Sequence, residues 1–144
     1  MADRWYRQGV LYCLDVETFQ DSNGDGIGDL QGLIGRLDYL ARLGVTCLWL
    51  NPIHPSPRRD DGYDITDFYG IHPQIGTLGD FAELVHQAGN LGLRVMIDLV
   101  VNHTSDQHPV VPERAFVAEL AVPGLVRLVR HRALRPSAGH GVPG

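Results

Sequence analysis

The stretch Arg94 to His103, RVMIDLVVNH, constrains the fold of this 144-residue chain more than any other. Met96, Ile97, Leu99, Val100 and Val101 make a nearly continuous apolar run, and three of the five are β-branched. Such a run reads as a strand buried on both faces of a parallel sheet, where covering helices leave neither face wet. Asp98 interrupts it. An unpaired carboxylate in an apolar interior is costly, so Asp98 requires a partner, or the strand ends there in a polar site. Five polar residues, Asn102 to Asp106, follow at the carboxyl end of the run, where parallel α/β folds bind ligands. The pattern alone equally allows a buried Asp tied to a loop backbone.

Two further strands precede this one. Gly9 to Val16, GVLYCLDV, is the first, and Val45 to Leu50, VTCLWL, is the second. Between them, Leu30, Leu33, Ile34, Leu37, Leu40 and Ala41 fall on one face of a helix expected from Leu30 to about Leu43, with Asp29 as N-cap and Gly44 as stop. A second helix opens at Thr77 with Asp80 three residues on, a capping-box pattern, and its stripe is Phe81, Leu84, Val85 and Ala88. The order β-α-β-α-β implies parallel strands joined by crossovers, in an open sheet or a barrel. No Gly-rich phosphate fingerprint follows the first strand. The glycines at 24, 26 and 28 alternate with acids, which would repel a pyrophosphate.

That acidic stretch, Asp21 to Asp29, places oxygen-bearing side chains at alternate positions, a pattern able to wrap one hard cation. It begins like an EF-hand, but Gly32 stands where the bidentate Glu belongs. The competing reading is a turn held by its own Asx hydrogen bonds. The long segment Ile53 to Ile75, rich in Pro, Asp, Tyr and His, has the length of a functional loop.

Composition excludes several classes. The net charge is −5 and no basic cluster with interleaved aromatics suggests nucleic acid. No apolar run approaches the ~20 residues that span a bilayer, and Met1 to Gly9 does not resemble a signal peptide. Cys13 and Cys47 read as buried free thiols, which fits a reducing cytoplasm. From Val110 to Gly144 the composition changes. There are five Arg against two Glu and no Asp, Asn, Ile, Thr, Tyr or Trp. The expected organisation is therefore a unit at 1–109 and a divergent tail at 110–144, read out of frame or disordered.

Four co-linear motifs, FQDSNGDGIGDLQGL, LGVTCLWLNPIHPSP, DDGYDITDFYGIHPQIGTLGDF and DLVVNHTSDQHP, make the chain resemble the α-amylase superfamily, the family 13 glycoside hydrolases. The resemblance covers about Trp5 to Pro109 and is nearest the α-glucosidase, oligo-1,6-glucosidase and trehalose synthase group. It implies an α/β fold, the first three β/α units of an incomplete (β/α)₈ TIM barrel, and retaining hydrolysis or transfer of α-glucosyl groups. It also implies roles for particular residues. Asp98 is a structural carboxylate holding an Arg of a later strand beside the nucleophile. Asp60, Tyr63 and His103 bind the glucosyl unit, Tyr63 by stacking, Asp60 by accepting and His103 by donating hydrogen bonds. Asp21, Asn23, Asp25, the carbonyl of Ile27 and Asp29 hold Ca²⁺ or Mg²⁺. The implied ligand is an α-glucoside such as maltose.

The carboxylate pair that such enzymes need, about 5–5.5 Å apart, has no counterpart here. The only glutamates are Glu17, Glu83, Glu113 and Glu119, and none sits in a matching motif. The expectation is a chain inactive by itself, with a non-catalytic sugar- or Ca-binding module as the alternative.

Overall fold

A computed structural model describes residues 5–111. The elements in chain order are a short 3-10 turn at Trp5–Arg7, then β1 (Leu11–Leu14), α1 (Val16–Phe19), α2 (Leu30–Ile34), α3 (Leu37–Arg42), β2 (Cys47–Leu50), α4 (Leu78–Asn90) and β3 (Arg94–Ile97). The expected tail at 110–144 lies, from 112 on, outside the described residues.

The three strands form one parallel sheet in the order β1-β2-β3. Its register aligns Cys13 with Trp49 and Met96, and Leu14 with Leu50 and Ile97. The period of two then sorts the side chains. Tyr12, Leu14, Leu48, Leu50 and Val95 join Leu30, Leu33, Leu37, Leu40, Leu84 and Ala88 in one core beneath the helices. Cys13 and Trp49 point to the other face and are exposed.

Several sequence expectations are corrected here. β3 is not buried on both faces and does not run to Val101. Its partner β2 ends at Leu50, opposite Ile97, and Asn51-Pro52 follows. Without a ladder beyond that point the chain leaves the sheet, and Leu99 and Val101 are 79 % and 76 % exposed. Cys13 is exposed, because it shares the open face with Trp49, whereas Cys47 is buried as expected. The helix read as one piece from Leu30 is two, broken at Gly35 and Arg36. Leu30, Leu33, Leu37 and Leu40 nonetheless stay fully buried, since the apolar stripe survives a break in the backbone ladder. α1 had no helical stripe to announce it; Asp15 caps it by accepting from the Glu17 N–H at 3.0 Å.

Close backbone contacts fix the acidic loop against α1. The Gly28 N–H donates to the Glu17 carbonyl at 2.6 Å, and the Asp29 N–H to that of Gln20 at 3.0 Å. A Cβ on Gly32 would lie 2.0 Å from the Gln20 carbonyl oxygen, so only glycine permits α2 to approach there. α4 carries the expected capping box, with Thr77 and Asp80 each bonded to the other's backbone. No helix among the described residues is long and apolar enough to cross a membrane.

Candidate sugar-binding site

Three strand ends and one long loop build the site. Asp98 is the first residue beyond β3, and it is half-buried rather than embedded in the strand. Both of its oxygens are engaged. The Trp49 indole Nε1–H donates to Oδ1 at 2.7 Å and the Tyr63 hydroxyl donates to Oδ2 at 2.7 Å. The carboxylate thus has partners and also stands at the end of a strand, so both of the alternatives that its cost left open are met. The Asp98 hydrogen bond, together with burial, pushes the Tyr63 phenol up to about 12.

Tyr63 reaches Asp98 from a tight turn. The Tyr63 N–H donates to the Asp60 carbonyl at 2.8 Å, and the two residues between, Asp61 and Gly62, have φ of 47° and 90°. Positive φ at both centres is the type I′ pattern, and Asp-Gly is the dipeptide that adopts it most readily. Asp60 and Tyr63 are therefore brought together at the two ends of one turn. The Asp64 carboxylate closes the loop behind them, accepting from the Ser56 hydroxyl and, at 3.0 Å, from the Arg59 N–H.

An open cavity of about 360 Å³ lies over the strand ends, lined by Trp49, Tyr63, Asp98, Leu99, Val100, Val101 and Asn102. Tyr63 and Asp98 meet there; Asp60 and His103 stand outside its lining. The His103 Nε2 is buried and has no hydrogen-bond partner among the described residues, while Nδ1 lies 3.4 Å from the Asn102 amide. Beyond it, Thr104 and Ser105 are buried and tie the segment to the Ile65 carbonyl, at 2.7 and 3.0 Å.

Sequence reasoning missed Trp49, although a signal existed. Trp49 faces Met96 in register, and Asp98 is two residues on, hence on the same face. It also missed the group around Arg58, which no local pattern announces.

In the acidic loop each oxygen donor meets backbone. Asp21 accepts from Asn23 at 3.0 Å, Gly24 at 2.7 Å and Gly26 at 2.8 Å, Asn23 from Asp25 at 2.9 Å, and Asp25 from Ile27 at 2.8 Å. The N–H groups of Gly26 and Gly24 hold the Asp21 carboxyl below its ordinary range. Asp29 accepts from the Ser22 hydroxyl at 2.8 Å and caps α2 through the Gly32 N–H at 2.6 Å. Burial alone would raise its pKa, but these hydrogen bonds outweigh burial and lower it. No group of three or more His, Cys, Asp or Glu side chains converges as a metal site among the described residues. The donor set is all oxygen, three carboxylates with one amide and one backbone carbonyl, which suits a hard divalent ion in chemistry.

Residues 15–116 match the family model for the α-amylase catalytic domain. The chain belongs to the α-amylase family. It is 52 % identical over 106 residues to an α-glucosidase of Pediococcus pentosaceus, covering 74 % of this chain and 19 % of that protein. It is 55 % identical over 104 residues to the trehalose synthase/amylase of Mycolicibacterium smegmatis, covering 72 % and 18 %. Among solved structures, Bacillus licheniformis trehalose-6-phosphate hydrolase superposes with a TM-score of 0.74 at 44 % identity, over 76 % of this chain and 20 % of that one. The isomaltulose synthase of Klebsiella sp. LX3 does so with a TM-score of 0.74 at 44 % identity, over 77 % and 20 %. The chain spans about a fifth of the length of the curated relatives it matches. These neighbours imply a TIM-barrel fold, and the small parallel sheet is consistent with part of such a barrel.

Proposed function

We propose that this α-amylase-family chain comprises the first three β/α units of the barrel and forms part of the glucosyl pocket of an enzyme that processes α-glucosides such as maltose. The observation that carries this reading is the Asp98 carboxylate, set at the ends of parallel strands and receiving Tyr63 and Trp49 from two other segments. A pyranose offers an apolar face and a rim of hydroxyls. The Tyr63 ring, held by its hydroxyl, stacks on the face, and Asp60 on the same turn accepts from the rim. His103 donates through Nε2, a buried nitrogen whose lack of a partner among the described residues suits an incoming hydroxyl. Asp98 orients the Arg of a later strand. The acidic loop takes Ca²⁺ or Mg²⁺ through Asp21, Asn23, Asp25, the Ile27 carbonyl and Asp29, and the ion supplies structural charge neutralisation, not chemistry.

By this reading the chain binds and does not cleave. Glu17 pairs with Arg58, and Glu83 lies on α4 against Gln31 and Gln87, so neither faces the cavity. Calorimetric titration with maltose tests the binding. Tyr63→Ala and Asp60→Ala are each expected to abolish the heat, and binding that ignores both substitutions would overturn the assignment. Nitrophenyl α-glucoside should not be turned over; release of nitrophenol that Asp98→Asn abolishes would show catalysis by this chain instead.

A further inference from the structure

The segment that carries Asp60 and Tyr63 is anchored by a side chain outside the sugar pocket. Arg58 sits in the long loop with a φ of 57°, a left-handed conformation that a non-glycine residue adopts only when its surroundings hold it there. Its backbone N–H donates to the Ser56 hydroxyl at 2.8 Å. One guanidinium nitrogen, Nη1, pairs with the Glu17 carboxylate on α1. Nε and Nη2 each lie 3.2 Å from a ring nitrogen of His72, at the far end of the same loop. The guanidinium therefore ties three segments together: α1, the start of the loop and its return.

The charges around it explain why a cation stands there. Asp15, Glu17, Pro52, Arg58 and Asp61 line a small cavity of about 80 Å³. Three carboxylates share that lining, with the charges of Asp15 and Asp61 felt at Glu17, and Asp61 is a central residue of the turn that presents Asp60 and Tyr63. Arg58 is the cation among the five. Without it, Glu17 would keep the like charges of Asp15 and Asp61 near it with no counter-charge, and although the exposed Asp61 is partly screened by solvent, that repulsion bears on the turn. The turn would be pushed off the strand ends. Burial raises the Glu17 pKa despite the Arg58 charge, so this ion pair contributes geometry more than stability.

We propose that Arg58 is the positioning residue of the sugar-binding turn, holding Asp60 and Tyr63 in place by neutralising Asp15, Glu17 and Asp61 while its guanidinium is fixed against His72. This deepens the glucosyl-pocket reading and rests on it for the identity of the ligand. Asp60 and Tyr63 contact sugar in that reading; Arg58 acts only through them.

Backbone amide spectra of the full chain decide the matter without any sugar. In Arg58→Leu the Gly62 and Tyr63 amide signals and the Trp49 indole signal should move, while core amides such as Leu48 and Leu84 stay. Arg58→Lys, which keeps the charge, should return the turn signals most of the way. Glu17→Gln added to Arg58→Leu removes part of the repulsion and should also bring them back, a coupling that a purely packing role would not produce. Maltose affinity should fall by about tenfold or more in Arg58→Leu and recover in both rescue variants. Turn signals that stay put in Arg58→Leu, or a double variant no better than the single one, would overturn the proposal. If the wild-type chain binds no maltose, the glucosyl-pocket reading fails, and the amide shifts still judge the role of Arg58.

Discussion

Asp98 shows how one charge organises its neighbours. Its two oxygens are satisfied by an indole and a phenol, so replacing one donor leaves a half-buried acceptor short of a partner. Tyr63→Phe should therefore cost about 1 kcal/mol in denaturant unfolding, with the fold retained. The pH dependence has a fixed sign. The Tyr63 pKa rises from 10.0 to about 12 in the folded state, so its contribution is present below pH 10 and lost as pH rises through about 12. Wild-type stability should fall across that window more steeply than that of Tyr63→Phe. His72 behaves in the opposite direction. Burial first, and the Arg58 charge second, hold its ring below 6.5, so the unfolded chain takes up the proton first on acidification. Stability should decline below that pH, and His72→Gln should flatten the slope in unfolding titrations at about pH 7.5 and about pH 5.5. Asp98 was legible because a charge inside an apolar run is conspicuous. Arg58 was not, since its partners lie 41 and 14 residues away in sequence.

At the scale of elements, local chemistry sets the starts and tertiary pairing sets the ends. The capping box of α4 was visible in Thr77 and Asp80 because its partners are three residues apart. Thr77→Ala should destabilise the chain by about 1 kcal/mol, measured as a lower thermal midpoint. Asp80 is held below its ordinary pKa by the Thr77 hydroxyl first and by Gln31 second. Its contribution is thus present above pH 3.8 and lost as pH falls through the lower folded value. The acidic loop gives the third test at this scale. Ca²⁺ should raise the thermal midpoint by mass action, and Asp21→Ala combined with Asp25→Ala should remove the effect. Equal midpoints in EDTA and in excess Ca²⁺, with no heat on titration, would leave the loop a self-bonded turn. The hydrogen bonds that would hold such a turn run from the N–H groups of Asn23, Asp25 and Ile27 to the side chains of Asp21, Asn23 and Asp25.

Among the described residues the helices cover one face of the sheet, and the other is largely open. Cys13 and Trp49 stand open on that other face with Leu11, and Ile97, Leu99 and Val101 are exposed at and beyond the end of β3. Among the described residues, β1 and β3 each pair on one side alone. Exposed apolar surface next to unpaired strand edges promotes association. Concentration-dependent self-association and ANS binding are expected by sedimentation and fluorescence, and Leu99→Lys with Val101→Glu should reduce both.

The sequence by itself determined the β-α-β-α-β order and most of the buried helix faces, Val85 excepted, which is exposed, and it marked Asp98 as a carboxylate in need of partners. Those follow from period and from local hydrogen bonding, which neighbours in the chain already specify. The family followed from four ordered motifs. Tertiary structure alone decided where β3 stops, since that depends on where β2 runs out of partners. It alone showed that Trp49 and Tyr63 converge on Asp98, and that Arg58 gathers Glu17 and His72. Such meetings depend on how the long loop from Ile53 to Ile75 folds back over the strand ends. A loop without periodicity carries no record of its own path.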